Sequence, residues 1–566
     1  MDRDRRRRFE AYRQSEAGDV ENALLDDVAA GELDRGEFLR RASVLGLSGS
    51  VIGSALAWLG EPAVAFAAPE RGRAGGRARV GIIPGPTKDL EPHTLADLGG
   101  FEAAGIAGEF LTRTTTTLQL RPELAVSWKA NKTATVWTFK LRQGVKFQNG
   151  NAFSADDVVA TYKRLTDSKS GSQAISAFGG VLSPSGVRKV DSHTVAFHLD
   201  APNANFPYLT CETTYQAIIL PADYKIGTFT QAPQTTAAFK LTSYTPGVGA
   251  TYEAFDGWWG GTPALSGVDA TFYNEDAAVI AALLGGQLDL VGQINISTGR
   301  AVLKNPNLTV IPAHGATHRQ VPIRTDIMSS PFHDYRVRQA LALTLDRPAI
   351  VRTLFSGFAD VGNDSPFAPV YPSTNKSVAQ RHRDIRKARQ LMAAAGHAKG
   401  FSVTLTTEKV GEIPQLAQII QRSAKQIGIN INLKVLTSSA YFAGSQTGPP
   451  SGWGTTPWLN APINITDWGH RPVPNVYLTA ALMSKGAWNA AHYSNKRFDS
   501  YAKSYVAAVS LKDQRKYSKL IEQTLLHDTP VIFPYFYYYL QAASKNLKGY
   551  KGNAIGQTYL SRSSLA

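Results

Sequence analysis

The stretch WTFKLRQGVKFQNGNAFSADDVVATYKRL, residues 137–165, alternates, turns, and then changes period. Trp137, Phe139 and Leu141 are separated by Thr138 and Lys140, the spacing of a strand with one buried face. Asn149-Gly150 supplies residues that tolerate positive φ in a tight turn. Ser154 is placed to cap a helix, Asp157 puts negative charge near its start, and Val158, Val159 and Tyr162 give it an apolar side. The block carries no set of side chains with reactive chemistry.

Working outward, DSHTVAFHL (191–199) repeats the strand pattern, with Val195, Phe197 and Leu199 on one face. Residues 126–219 therefore read as a small α+β layer. Further on, FSVTLTT (401–407) alternates as a strand and PQLAQIIQRSAKQ (414–426) places Leu416, Ile419, Ile420 and Ala424 at helical spacing. INLKVL (431–436) is a strand again, which makes a βαβ unit and demands a parallel sheet with a right-handed crossover. The helix before it, RDIRKARQLMAAAG (383–396), has a one-sided apolar stripe and ends at Gly396. FPYFYYYL (533–540) reads as a strand buried on both faces. At 566 residues the chain exceeds what one core organises, so two or more α/β lobes are expected.

The amino-terminal run DRGEFLRRASVLGLSGSVIGSALAWLGEPAVAFAAPE (34–70) sets Arg40-Arg41 before a weakly apolar stretch, followed by small residues around Ala65-Phe66-Ala67. It resembles a twin-arginine export signal. RGRAGGRAR (71–79) reads as a flexible linker. The net charge is +15, and residues 1–67 hold more acidic than basic residues, so their removal leaves a still more basic protein. No dense Lys/Arg run interleaves with aromatics, so nucleic acid is not the expected partner. Retention near anionic lipid or wall polymer fits the charge better. Cys211 is the single cysteine, which excludes an internal disulfide and any thiolate metal site made by this chain alone.

Several blocks, in order, resemble the extracytoplasmic solute-binding proteins of the peptide/nickel/dipeptide class that feed ABC importers, family 5. They are residues 137–165, FKLTSYTPGVGATYEAFDGWWGGTPALSGVDATFYNEDAAVIAALLGGQLDLV (239–291), RQALALTLDRPAIVRTLFSGFA (338–359), DIRKARQLMAAAG (384–396) and HYSNKRFDSYAKSY (492–505). The resemblance implies an α/β, two-lobed clamp of periplasmic class II type with discontinuous domains. After a signal region (1–67) and linker (68–79), 80–125, 220–310 and 496–566 would form one lobe. Residues 126–219 would be its small subdomain, and 311–495 the second lobe, with hinges near 308–320 and 490–500. The implied function is a monomeric periplasmic or extracellular receptor, without cofactor or metal, that closes on an oligopeptide or dipeptide and delivers it to ABC permease subunits. Nickel chelates, sugars and opines are the alternatives within the family.

Within ITDWGHRPVPNVYL (465–478), the resemblance assigns Asp467 to the α-amino group of a bound peptide, although GHRPVP replaces the family's acidic, proline-containing run. Trp453, Trp458 and Trp468, clustered among Gly and Pro, are candidate apolar walls of the cleft. A rival reading is an exported serine-type acyl-transfer enzyme acting on wall peptides. It rests on Ser373-Thr-Asn-Lys376, Ser500-Tyr-Ala-Lys503 and Tyr493-Ser494-Asn495, but no Lys-Thr-Gly follows. No covalent chemistry is expected of the chain.

Overall fold

The computed structural model describes residues 75–86, 88–295, 299–445 and 454–566, with isolated positions between 10 and 27. The segment read as an export signal (34–70) and Trp453 lie outside the described residues. No helix among the described residues is long and apolar enough to cross a membrane.

Two seven-stranded sheets organise the chain. In the first, the strands run in the order Leu308–Ala313, Tyr539–Ser544, Leu290–Ile294, Arg77–Ile82, Gly267–Phe272, Gly249–Ala254 and Phe239–Thr245. Arg77–Ile82 is parallel to both its neighbours, and Val80 and Ile82 are fully buried, as a central parallel strand requires. The second sheet orders Ala359–Val361, Tyr535–Tyr537, His318–Pro322, Ile463–Trp468, Phe401–Glu408 and Ile429–Leu436, and Val531–Ile532 also pairs with His318–Pro322. The βαβ unit has the expected form. Phe401–Glu408 and Ile429–Leu436 are parallel, and the helix Ile413–Lys425 between them buries Leu416, Ala417 and Ile420.

A separate four-stranded sheet joins Ala125–Ala130, Val136–Leu141, Thr194–His198 and Val187–Asp191. Trp137, Phe139 and Leu141 face its core, where Phe139 meets Phe197 edge-on at 5.2 Å. The turn closes as the sequence demands: Gly150 has φ +90° and donates to Phe147 O at 2.9 Å. The helix Ala155–Thr166 begins with a reciprocal cap. Ser154 Oγ accepts from Asp156 N at 3.2 Å, and Asp157 Oδ2 accepts from Ser154 N at 2.7 Å.

Two expectations about chain routing change. The segment from Lys496 to Tyr537 does not return to the first lobe at 496. Its helices Lys496–Ala507 and Leu511–Asp528 bury Phe498, Tyr505 and Ile521 in the aromatic core of the second lobe, and its strands pair there. FPYFYYYL is not one buried strand either. Tyr535–Tyr537 pairs in the second sheet, Tyr539–Ser544 in the first, and Tyr538 is the handover. The second crossing between the sheets is therefore at 538 and not at 490–500.

Candidate ligand-binding cleft

The chain crosses between the sheets at 314–317 and again at Tyr538, and the two crossings lie side by side. Ala313 pairs with Tyr539 in the first sheet and His318 with Phe536 in the second. Tyr537 N donates to Thr317 O at 2.9 Å between them. Only a few backbone bonds link the sheets at these two adjacent extended segments, the arrangement a hinge requires.

Beyond the hinge, residues 469–475 form a wall of the second lobe. At one end His470 Nδ1 accepts from Ala316 N at 3.0 Å, which ties the segment to the first crossing. At the other, Asn475 Oδ1 accepts from Asn205 Nδ2 of the first lobe at 2.8 Å. Between these ends, Tyr477 OH donates to Gly469 O and Tyr371 OH to Arg471 O, both at 2.6 Å, and fix the backbone. A segment held by the hinge at one end and by the opposite lobe at the other must border the space between the lobes. From the first lobe, the hairpin of Thr112–Thr114 and Leu120–Pro122 reaches across, and its tip residue Leu118 is buried in the second lobe's aromatic core. A cavity of about 290 Å³ is lined from both sides, by Gln119, Asn205 and Tyr208 on one and Tyr371, Pro472 and Val473 on the other.

The wall's side chains divide by alternation along Ile463–Trp468. Ile463 and Ile465 enter the aliphatic core of the second lobe, and Asp467 follows on that side. Its carboxylate is engaged by Arg319, which it faces across the sheet register, and by Tyr537 OH at 3.3 Å. Arg319 also grips Glu412 through Nε at 2.8 Å and Nη2 at 3.0 Å. Asp467 thus already holds a cation through Oδ1, while its side chain remains 40% exposed.

Trp468 lies on the other side. Its ring is parallel to His318 at 6.5 Å and edge-on to Tyr477 at 5.6 Å, Trp458 at 6.2 Å and Trp488 at 5.8 Å. Trp458 and Trp468 are each 7% exposed, and neither indole Nε1 has a hydrogen-bond partner. Two sequence candidates are thereby brought together in one aromatic wall. A buried donor left unpaired costs about 1–3 kcal/mol, and both indoles sit within the buried aromatic core of the second lobe.

His470 was not singled out by sequence reasoning. It is 6% exposed, and burial, reinforced by the charge of Arg471, lowers its pKa to about 3. The ring is therefore neutral, and since Nδ1 accepts from Ala316 N, the proton resides on Nε2. That Nε2 has no partner. Arg471, next in the chain, is exposed; Nη1 donates to His470 O at 2.8 Å, and no ion pair reaches it among the described residues. The one signal that could have found this pair is the replacement of the acidic run by GHRPVP.

The serine motifs are not assembled. Ser373 is buried with Oγ bonded to Tyr505 OH at 2.7 Å, while Lys376 is exposed. Ser500 and Lys503 are both exposed on one helix, and no bond joins either Ser–Lys pair among the described residues.

The family model for bacterial extracellular solute-binding proteins, family 5 (middle), matches residues 119–490. The chain belongs to that family. The oligopeptide-binding protein AppA of Bacillus subtilis is 27% identical over 507 residues, covering 84% of this chain and 89% of its own. Heme-binding protein A of Haemophilus influenzae is 24% identical, covering 77% and 82%. The solved structure of HbpA2 from Haemophilus parasuis superposes with a TM-score of 0.75 at 22% identity, over 87% of this chain and all of that one. As a family 5 protein the chain is a solute-binding receptor, and the two sheets joined by paired crossings are its two-lobed clamp.

Proposed function

We propose that the protein captures a small solute of the peptide class, an oligopeptide or dipeptide, in the cleft bordered by residues 469–475, and hands it to the permease of an ABC importer. Capture works by population shift. The ligand touches both lobes only when they are closed, so its binding favours the closed state by that difference in affinity. No covalent bond is made or broken. The protein acts as a monomer, exported through a twin-arginine-like signal to the periplasm or cell exterior.

The observation that carries this reading is the pair of adjacent crossings at 314–317 and 538 with a wall of unpaired buried donors beside them. Trp458 and Trp468 supply the apolar side of that wall, and Asp467 shapes it by holding Arg319. AppA is named an oligopeptide-binding protein, which supports the choice of ligand class. The test is mass spectrometry of solute released from protein purified without denaturation, followed by titration of that solute into the stripped protein. Recovery of a peptide that rebinds with one-to-one stoichiometry is expected. A released non-peptide solute that rebinds would move the protein to another ligand class. Turnover of the added solute would overturn the receptor reading altogether.

A further inference from the structure

A second cavity, of about 360 Å³, opens on the first lobe. Its walls come from three stretches of that lobe: the hairpin of Thr112–Thr114 and Leu120–Pro122, the Trp258-Trp259 turn, and the carboxyl-terminal segment 549–562. No residue of the second lobe lines it, so it is not the space between the lobes.

The base of this cavity is electrostatically complete. Arg113 is buried, donates through Nε to Glu123 Oε1 at 2.8 Å, and stacks on Tyr559 with its guanidinium carbon 3.6 Å from the ring centre. Behind the tryptophans, Glu109 accepts from Trp258 Nε1 at 2.7 Å, Trp259 Nε1 at 2.8 Å and Thr236 Oγ1 at 2.7 Å. Both indoles are thereby pinned through their nitrogens, and their ring faces hold cations. Arg562 lies over Trp258 at 5.4 Å and Arg142 over Trp259 at 4.1 Å.

The rim is not complete. Glu123, the one carboxylate of the lining, is taken by Arg113 and by Phe110 N. Arg121, Lys551 and Arg562 also line the cavity, are exposed, and have neither an ion pair nor a side-chain hydrogen bond among the described residues. Tyr559 OH, on the same lining, is buried without a hydrogen-bond partner. Stacking on Trp258 uses the face of the Arg562 guanidinium and leaves its in-plane N–H groups open. Three uncommitted cations around one cavity, one of them held by a pinned ring, make a preorganised receptor for an anion.

The shape of that anion follows from where the cations stand. Arg121 comes from the hairpin, Lys551 and Arg562 from the carboxyl-terminal segment, so charge arrives from two sides. A carboxylate has two acceptors in one plane, and a single guanidinium satisfies it, whereas a phosphate has acceptors in three directions. We propose that this cavity binds a phosphate ester of a small polyol, its phosphate held by Arg121, Lys551 and Arg562 and a hydroxyl partnered by Tyr559 OH. The ester is either soluble or the headgroup of an anionic phospholipid. This site goes beyond solute capture between the lobes and does not depend on the ligand class taken there.

Calorimetry on the full-length protein tests it with glycerol phosphate against glycerate and glycerol. Sedimentation with vesicles of phosphatidylglycerol in phosphatidylcholine, against phosphatidylcholine alone, tests the source. Glycerol phosphate or the anionic vesicles should bind, with glycerate roughly tenfold weaker than the phosphate and glycerol silent. Binding to the vesicles assigns the ester to a headgroup, and titration of glycerol phosphate without sedimentation assigns it to a soluble compound. In either arm Arg562→Gln should weaken binding by roughly tenfold or more, the loss expected of a charge-assisted hydrogen bond, and Arg562→Lys by less. The ligand-free melting temperature should not change, because the side chain is exposed. Lys551→Gln reads the same site should the first variant fail to fold. Absence of binding in both arms, affinity unchanged in both glutamine variants, or glycerate bound as tightly as the phosphate overturns the proposal.

Discussion

Asp364 holds two arginines with one carboxylate. Arg347 Nη2 lies 2.7 Å from Oδ1 and 2.8 Å from Oδ2, Arg381 Nη1 lies 2.6 Å from Oδ2, and Phe533 N donates to Oδ1 at 3.2 Å. The aspartate and Arg347 are fully buried, so the charge balance is local. Asp364→Asn would leave two guanidiniums facing a neutral amide, a loss of about 3–5 kcal/mol for a broken buried pair. Because φ is +52° there, and asparagine tolerates that region, the loss is electrostatic and not backbone strain. Urea unfolding should show it, and a loss under 1 kcal/mol would contradict it. Glu102, on the helix Leu98–Ile106, gives a pH test. Burial raises its pKa from 4.5 to about 8, against the bond donated by Thr558 Oγ1 at 2.5 Å. Between those values the unfolded carboxyl has lost its proton while the native one keeps it, so stability falls as pH rises from about 4.5 to about 8. The slope is about 1.4 kcal/mol per pH unit for one proton. Glu102→Gln should remove one proton's worth of that slope, and identical pH profiles for the two proteins would refute the shift.

At the scale of elements, the helix Ala155–Thr166 depends on its start. Asp157 serves twice, accepting from Ser154 N at 2.7 Å and from Ala222 N at 2.8 Å. Ser154→Ala should cost about 1 kcal/mol as an ordinary cap loss. Asp157→Ala should cost more, since it also frees the segment at 222; equal costs would show that the second bond is idle. These caps, the alternation at 137–141 and the βαβ unit at 401–436 were legible because their signals are local: period, cap residue and turn residue lie within one element. The tyrosine run was not legible. Both halves of FPYFYYYL alternate alike, and nothing within them says that Tyr537 pairs toward Ala359 and Tyr539 toward Ala313. The site was read halfway for a similar reason. Trp458 and Trp468 announce themselves by size, whereas the partner of Asp467, Arg319, is 148 residues away and visible only in the sheet register. His470 becomes notable only once Ala316 N occupies its other nitrogen.

For the whole molecule, closure depends on what the lobes say to each other away from the hinge. The bridge runs through Asn205, whose Nδ2 donates to Asn475 Oδ1 at 2.8 Å and whose Oδ1 accepts from Gln514 Nε2 at 3.0 Å. Beside it, Ala204 N donates to Val506 O at 2.8 Å. Gln514 and Val506 belong to the segment that sequence reasoning had assigned to the first lobe, so the character of those two contacts as a bridge depends on the corrected routing, whereas Asn475 was placed in the second lobe from the start. Asn205 is 4% exposed, and truncation removes two side-chain hydrogen bonds of the closed arrangement while leaving both sheets intact. Each such bond contributes about 0.5–1.5 kcal/mol net. Asn205→Ala should therefore shift the lobes toward the open state and weaken ligand binding by roughly 5- to 150-fold, the factor that about 1–3 kcal/mol gives. Small-angle scattering should find a larger radius of gyration for the variant than for wild type without ligand, and saturating ligand should bring the two together. A substitution that loosens binding with no change in radius would mean that Asn205 acts within one lobe, and that closure is governed by the ligand and the paired crossings alone.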